Sequence, residues 1–241
     1  MGINSCILAG KIMSDITLSY TATNGVPVLS FILGVKQLTY KGGEKVSRFR
    51  VTVWRELAEQ VARECKKNDC VVVSGRLRSE QFVDKKGRKR KLTEIDGRSV
   101  DKYIYPKEFS ENICYLGGIV DRKPELIETR YGRPMLNLVM SCEHSAKNGC
   151  RTDVYKVIAW NETAEELYAN FERGDVLLIK GHMATNSWLD ENDVKQTTVV
   201  IIVDEFLSPT ISKLKEPPKD VEKVIYIEDD AMMTDLFGDS T

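Results

Sequence analysis

Apolar and polar residues alternate along much of this sequence, which is the pattern of β-strands buried on one face. The alternation is clearest at residues 49–54 and extends over residues 27–35. An uninterrupted apolar run at residues 70–73 predicts a fully buried strand that ends at Gly75. The first half of the chain is therefore predicted to be mostly β-structure.

Residues 56–66 are the one good helical stretch of the first half, because apolar side chains recur there every fourth position. Residues 76–83 and 91–103 flank a polar loop at residues 84–90 and are predicted to form a hairpin. Residues 6–9 predict a further strand, which leads into Gly10 where it can bend or bulge. Several strands with one helix after the third strand favour a small Greek-key barrel. Periodicity alone leaves another small β-domain open.

The sequence contains an internal repeat. Three motifs recur in the same order at a constant spacing of 106 residues: 54–59 with 160–165, 69–75 with 175–181, and 82–84 with 188–190. Because chance matches would not keep both order and spacing, we interpret the chain as a duplication. The predicted divisions are two domains, residues 1–105 and 106–210, and a disordered acidic tail at residues 211–241.

The second copy predicts the same elements as the first. Its helix is expected at residues 162–171, and its hairpin turns across residues 190–193. Its strands are predicted at residues 113–116, 134–142, 154–160, 176–179 and 197–206. The predicted fold class is therefore all-β with one short helix per domain, arranged as two tandem five-stranded Greek-key barrels.

Charge is distributed unevenly, although the net charge of the whole sequence is only −1. Residues 1–105 contain 20 Lys and Arg against 11 Asp and Glu, whereas residues 106–210 contain 11 against 17. The last 31 residues are also acidic, with 4 against 8. A polyanionic partner is therefore expected to prefer the first copy.

The sequence shows no export signal and no run long enough to span a membrane, since its longest apolar run, residues 199–203, has the length of a strand. We therefore expect a cytoplasmic protein with reduced thiols. Cys142, His144 and Cys150 could offer three zinc ligands. They lack the short paired spacing of structural zinc sites, so no metal or other cofactor is predicted.

Further motifs occur in the same order in the two copies. In the first copy they are Asn4 with Gly10, residues 49–54, and residues 73–78 with Phe82. In the second copy they are Asn112 with Gly118, residues 155–160, and residues 181–188. Through this order and spacing each copy resembles the bacterial single-stranded DNA-binding protein (SSB) family, over about residues 3–207.

The resemblance implies an OB-fold in each copy, with single-stranded DNA wrapped across the barrel. It also implies a working assembly of four OB-folds, so two per chain suggest a homodimer. The binding positions expected in the first copy are Tyr40, Arg50, Trp54, Arg76, Arg78 and Phe82. Those expected in the second copy are Tyr155, Lys156, Trp160 and Trp188.

The loop of the first copy adds cations to this set. Six of the seven residues at 85–91 are positively charged, and Lys85, Lys86, Arg88, Lys89 and Arg90 are the candidates for contacts with DNA. Cations bind phosphates and flat side chains stack on unpaired bases, which are the two requirements for holding a single strand. Alternatives remain: basic loops are often only solvated, and Trp54 and Trp160 could fill the barrel cores.

The second copy is a weaker candidate, because its hairpin loop at residues 190–193 is acidic where the loop of the first copy is basic. We therefore expect the first barrel to supply most of the affinity for DNA. The second barrel would contribute stacking, assembly or contacts with partners.

Residues 228–237 form an acidic segment that ends on two large apolar side chains. This segment resembles the C-terminal peptide with which the SSB family recruits replication and repair proteins. The residues expected to contact such partners are Asp229, Asp230, Asp235, Leu236 and Phe237. Family tails end on the Phe, whereas four residues follow Phe237 here, and a merely solubilising acidic tail is the alternative.

Catalysis is not expected, because His144 and His182 occupy unrelated positions and the sequence has neither a phosphate-binding glycine loop nor a serine elbow. The predicted function is binding and protection of single-stranded DNA during replication, recombination and repair. A protein-interaction scaffold with degenerate OB-folds and a single-stranded RNA-binding protein remain as alternatives.

Overall fold

The structure is a computed structural model that describes residues 2–38, 43–83, 87, 89–103, 109–129, 132–146, 149–189 and 195–207. Within these residues the chain forms 12 strands and two helices. It divides into two compact units, one made of Ser5–Cys114 and the other of Met1–Asn4 with Tyr115–Thr241. We call them the N-terminal unit and the C-terminal unit.

The N-terminal unit is built around a closed barrel. Its elements are β1 (Asn4–Ile12), β2 (Ser19–Tyr20), β3 (Pro27–Leu38), β4 (Glu44–Trp54), α1 (Glu56–Glu64), β5 (Cys70–Val83) and β6 (Lys89–Lys102). β1 pairs with β3 and with β5, β3 pairs with β4, and β5 pairs with β6, all antiparallel. A short parallel pairing of β4 with β6 completes the ring. Five strands closed in this order, with a helix after the third, form an OB-fold.

The core of this barrel follows from the alternation in its strands. Phe49, Val51 and Val53 lie on the inward side of β4 and are at most 1% exposed, as the pattern predicted. Phe31 on β3 and Leu77 on β5 fill the same interior. The opposite side of β4 therefore faces outward, which places Arg50, Thr52 and Trp54 on the outer side of the barrel, where Thr52 is covered by other side chains and only 5% exposed.

β5 differs from the prediction, because it is one strand of 14 residues rather than two segments separated at Gly75. Its register with β6 shifts between Ser74 and Gly75, which marks a β-bulge. A Cβ atom on Gly75 would lie only 2.5 Å from the carbonyl oxygen of Asp96, so a side chain does not fit at this position. The glycine allows the bulge and the strand continues past it.

The C-terminal unit repeats this architecture. Its elements are β7 (Glu111–Val120), β8 (Glu125–Glu128), β9 (Pro134–Ala146), β10 (Gly149–Trp160), α2 (Asn161–Asn170), β11 (Val176–Leu189) and β12 (Lys195–Leu207). The division into units falls within β7, after Cys114. β9 joins β7 to β10, β10 pairs in parallel with β12, and β11 lies between β12 and β7. The bulge recurs between Lys180 and Gly181, which are 106 residues after their counterparts. The two OB-folds thus share the same details of pairing.

Both helices are short, with 9 residues in α1 and 10 in α2. Their bounds differ slightly from the predicted ones: α1 ends before Cys65, whose backbone is extended, and α2 begins one residue earlier than expected. In the part of the chain that the structure describes, no helix is long and apolar enough to cross a membrane.

Candidate nucleic-acid interface

Three strands of the N-terminal unit bring charged side chains together on the outside of the barrel. β6 lies between β4 and β5, and its register places Glu94 opposite Arg78 and Asp96 opposite Arg76. Arg50 and Thr52 project from the neighbouring strand β4 toward the same surface, as their contacts with Glu94 show. We call the set Arg50, Thr52, Arg76, Arg78, Glu94 and Asp96 the charged face.

Each arginine of the charged face lies beside a carboxylate. Arg76 directs both Nε and Nη2 at Oδ2 of Asp96, each at 3.0 Å. Nη1 of Arg78 lies 3.7 Å from Oε1 of Glu94, and its Nη2 contacts Glu80. These arrangements favour particular orientations of the guanidinium groups and offset part of their charge.

Glu94 is the centre of this network, because only 8% of its side chain is exposed and it contacts three partners. The Thr52 hydroxyl donates a hydrogen bond to Oε2 of Glu94 at 2.9 Å. Nε of Arg50 lies 3.4 Å from the same oxygen, and Arg78 approaches the other oxygen. Ser30 on β3 lies 2.9 Å from the Thr52 hydroxyl, which extends the network across a further strand.

The pairing of these arginines is a feature of the candidate site that the sequence analysis did not predict. The count of charges over residues 1–105 treated the copy as basic overall and did not ask where its acids lie. The signal was present, since Glu94 and Asp96 flank Ile95 in an alternating segment. Once Ile95 faces inward, with 1% of its surface exposed, both acids must face outward with the arginines.

Trp54 lies on the outward side of β4, in register with Val28 of β3, and is half-buried. The interior of the barrel is filled by other side chains, including Phe31 and Phe49. The indole of Trp54 is therefore partly accessible on the same side of the strand as Arg50. This placement puts a flat surface and cationic groups on the same side of the barrel.

The corresponding outward side of the barrel in the C-terminal unit is apolar. The repeat places Ile158 where the first unit has Thr52, and Val200 where it has Glu94; both are fully buried. They form a cluster with Ile127 and Met135. Three half-buried side chains pack against this cluster: Trp160, Ala184 and Ile202. We call the seven residues the apolar face.

Trp160 is the counterpart of Trp54 in the repeat, and its side chain makes two kinds of contact. It packs against the apolar cluster, and the guanidinium carbon of Arg133 lies 5.4 Å from its ring centroid. A guanidinium group at this distance makes a cation–π contact. Lys156, the counterpart of Arg50, lies on the same outward side of β10 and is half-buried.

Tyr155 does not lie with the other predicted binding residues, because its ring faces inward and is 2% exposed. Its hydroxyl donates to Oδ2 of Asp153 at 3.2 Å and accepts a hydrogen bond from Asn4 at 3.1 Å. Burial, followed by the nearby Asp153 carboxylate, raises the pKa of Tyr155 well above its ordinary value. Alternation in β10 could have shown this, since Tyr155, Val157 and Ala159 share one side of the strand.

Several predicted site residues fall outside the described part of the structure. Tyr40, Lys85, Lys86 and Arg88 are outside it altogether. The backbones of four others lie in strands, but their side chains are not described: Phe82, Lys89, Arg90 and Trp188. Lys89 and Arg90 belong to β6, opposite Val83 and Phe82, rather than to the predicted loop. The tail residues Asp229, Asp230, Asp235, Leu236 and Phe237 also lie outside the described residues.

The cysteine and histidine candidates for a metal differ in their surroundings. Cys142 is buried, and this burial, followed by the Asp153 carboxylate, raises the pKa of its thiol to about 12. Cys150 is exposed. Among the residues with described positions, no three His, Cys, Asp or Glu side chains form a metal-binding group.

The two closed barrels and their outward-facing arginines and tryptophans define a tandem OB-fold protein with the chemistry of a nucleic-acid-binding surface. Residues 3–103 and 112–208 each match the family described as "Single-strand binding protein family". The chain belongs to this family.

Similar proteins agree with this assignment. Single-stranded DNA-binding protein A of Bacillus subtilis is 34% identical over 107 residues, which are 44% of this chain and 61% of the relative. The single-stranded DNA-binding protein of Halalkalibacterium halodurans is 34% identical over 122 residues, covering 48% of this chain and 71% of that protein. The chain thus spans less than two thirds of the Bacillus protein.

The crystal structure of wild-type single-stranded DNA binding protein from Thermus aquaticus resembles this fold with a TM-score of 0.73 and 21% sequence identity. The likeness covers 89% of this chain and 96% of that one. A deletion mutant of the same Thermus protein gives a TM-score of 0.72 at 22% identity, over 91% and 98% of the two chains. The similarity extends through both OB-folds.

Proposed function

We propose that this chain binds and protects single-stranded DNA without strong sequence preference, and that the N-terminal unit supplies most of the affinity. The observation that supports this most directly is the placement of Arg50, Trp54, Arg76 and Arg78 on the outside of one barrel. Family membership supports the binding of single-stranded DNA. The protein acts by binding and needs no catalytic step.

The geometry of the charged face suits contacts with phosphates. An arginine has five N–H donors in a fixed plane, so a guanidinium group that is oriented by a carboxylate keeps further donors for a second anion. Arg50 uses Nε toward Glu94 and is about half exposed, with 49% of its side chain accessible. Its terminal amino groups are therefore suited to bind a phosphate while Trp54 stacks on a base.

The C-terminal unit would contribute differently. Its apolar face offers the half-buried ring of Trp160 and the aliphatic surfaces of Ala184 and Ile202. Such groups contact bases by stacking and apolar packing, and they attract phosphates little. We assign this unit a role in holding bases or in assembly, with Lys156 and Trp188 as its further candidate contacts.

The arrangement of the whole chain is also part of the proposal. Residues 1–105 and 106–210 would act as separate OB-fold domains, and residues 211–241 as an acidic tail. Two chains would associate into a homodimer with four OB-folds. The tail would recruit replication and repair proteins in the cytoplasm, where steering by its acids and burial of Leu236 and Phe237 would provide the contacts.

The experiment is a titration of tryptophan fluorescence with oligo-dT of increasing length, at two salt concentrations, beside duplex DNA and oligo-U. We expect quenching by oligo-dT, an affinity that falls steeply with salt, and weaker binding of the duplex. Preference for duplex DNA would refute the proposal. Absence of quenching even in dilute buffer would favour the scaffold alternative, and preference for oligo-U would favour RNA.

A further inference from the structure

We infer that Glu94 is a positioning residue of the nucleic-acid-binding surface: it orients Arg50 and Arg78 and sets the effective charge of the face they occupy. The inference rests on the proposed function. Glu94 would act through the two arginines, without touching DNA itself.

The contacts of Glu94 show how it would orient them. Its two oxygens face different arginines, with Oε2 at 3.4 Å from Nε of Arg50 and Oε1 at 3.7 Å from Nη1 of Arg78. The Thr52 hydroxyl fixes the carboxylate from a third direction. Because Arg50 and Arg78 come from strands on either side of β6, the carboxylate links three neighbouring strands.

The C-terminal unit shows that an OB-fold does not need a carboxylate at this position. Val200 takes the place of Glu94 in the same register, opposite Ala184 where the first unit has Arg78. Thr52 is likewise replaced by Ile158, and both replacements are fully buried. Burying a carboxylate is costly unless it is paired, so its presence in one barrel alone points to its arginine partners.

The position of the charge has a consequence for binding. A carboxylate between two arginines cancels part of the attraction that a phosphate would feel. Fewer counterions are then displaced when DNA binds, and affinity depends less steeply on salt than the number of arginines implies. Glu94 therefore weakens the electrostatic attraction of phosphates, and in return it orients the N–H donors of the two arginines.

The first test is Glu94→Gln, which keeps the shape of the side chain and removes its charge. We expect the slope of log affinity against log salt for oligo-dT to become more negative by about one, and affinity at low salt to rise about fivefold. The control Asp204→Asn removes an acid from the C-terminal unit, where Asp204 pairs with His182, and should leave the slope unchanged. An unchanged slope in Glu94→Gln would overturn the inference.

The second test separates orientation from charge. Thr52→Val removes the hydroxyl that holds the carboxylate but keeps the negative charge, so we expect affinity to fall about fivefold with an unaltered slope. Unaltered affinity in this variant would refute the positioning role.

A double variant, Thr52→Ile with Glu94→Val, copies the pair found in the C-terminal unit and should steepen the slope as Glu94→Gln does. It keeps the test decisive if Glu94→Gln folds poorly, which circular dichroism would show. Failure of the wild-type chain to bind oligo-dT is a separate result, because it refutes the proposed function before any variant is compared.

Discussion

The outer faces of the two barrels have the same strand register and opposite chemistry. In the N-terminal unit a threonine and two arginines surround a buried glutamate, and a third arginine pairs with Asp96. In the C-terminal unit the corresponding centre is a cluster of aliphatic side chains. The comparison shows that the OB-fold fixes where side chains stand on this surface and leaves their character open.

The difference also indicates how a duplicated chain can divide one function. A surface of oriented guanidinium groups is suited to phosphates, whose binding responds strongly to salt. An aliphatic surface with an indole is suited to bases or to another protein, whose binding responds weakly to salt. The two units would therefore be distinguished best by measurements at several ionic strengths.

The largest expected effect comes from placing the acid of one barrel into the other. Val200→Glu would bury a carboxylate beside Ile127, Met135 and Ile158, without the threonine and arginines that surround Glu94. We expect the C-terminal unit to lose about 4 kcal/mol of stability. Thermal unfolding followed by calorimetry would measure this loss.

The reverse exchange, Glu94→Val, is the matched control for that variant. It leaves two partly exposed arginines that water can solvate, so we expect a loss of only about 1 kcal/mol. Equal losses in the two exchanges would show that the surroundings of these positions are more alike than the structure indicates.

A smaller effect than that of Val200→Glu is expected from the basic residues within 85–89, which include Lys89 at the start of β6. Changing Lys85, Lys86, Arg88 and Lys89 to Glu should weaken binding of oligo-dT about a hundredfold at low salt, because four cationic groups become repulsive. Trp188→Ala in the other unit removes one stacking surface and should cost about tenfold. Fluorescence anisotropy with labelled oligo-dT measures both, and equal losses would contradict the proposed asymmetry.

The smallest effect concerns a turn that both units share. The Asp69 carboxylate accepts hydrogen bonds from the backbone N–H of Lys66 at 2.9 Å and from Nζ of Lys102 at 2.8 Å. In the other unit the Asp175 carboxylate accepts one from the backbone N–H of Glu172 at 2.7 Å. Burial acts to raise the pKa of Asp69, but the bonds from Lys102 and Lys66 outweigh it and lower the pKa below its ordinary value.

Asp69→Asn should therefore destabilise the N-terminal unit by about 1 kcal/mol at neutral pH. A lowered pKa means that the stabilisation is complete above the unfolded value of about 3.9 and disappears as pH falls through the folded value. Urea unfolding at pH 7 and at pH 3 would show a difference between wild type and variant that shrinks in acid. A difference that persisted at low pH would contradict this explanation.

The sequence predicted the barrels well because alternation and repetition are properties of the chain itself. The inward position of Phe49, Val51 and Val53 is confirmed, and both helices occur within two residues of their predicted bounds. The short strands β2 and β8 were missed, since two to four residues carry too little periodicity to be recognised. The continuity of β5 was not predicted, because a glycine in the sequence is equally compatible with a β-bulge and with the end of a strand.

The surface was predicted less completely, because pairing between strands decides which charges meet. The arginines were identified, but their contacts with Glu94 and Asp96 depend on the register of β5 with β6. Tyr155 was assigned to the surface from the resemblance although its place in the strand alternation is inward. The residue types indicated cationic and aromatic chemistry, but only the register of the strands in the sheet showed which side chains are neighbours.

The continuous pairing of β5 with β6 has a mechanical consequence. The two strands are paired continuously from Val71 opposite Lys102 to Val83 opposite Lys89, and the bulge only shifts their register. Val83 lies five residues after Arg78, the last of the barrel positions described above, which is about 16 Å of strand at 3.3 Å per residue. The last described pair of the ladder, Val83 and Lys89, therefore lies beyond the barrel, and the distance at which the backbone of Lys89 is held from it is set by strand length.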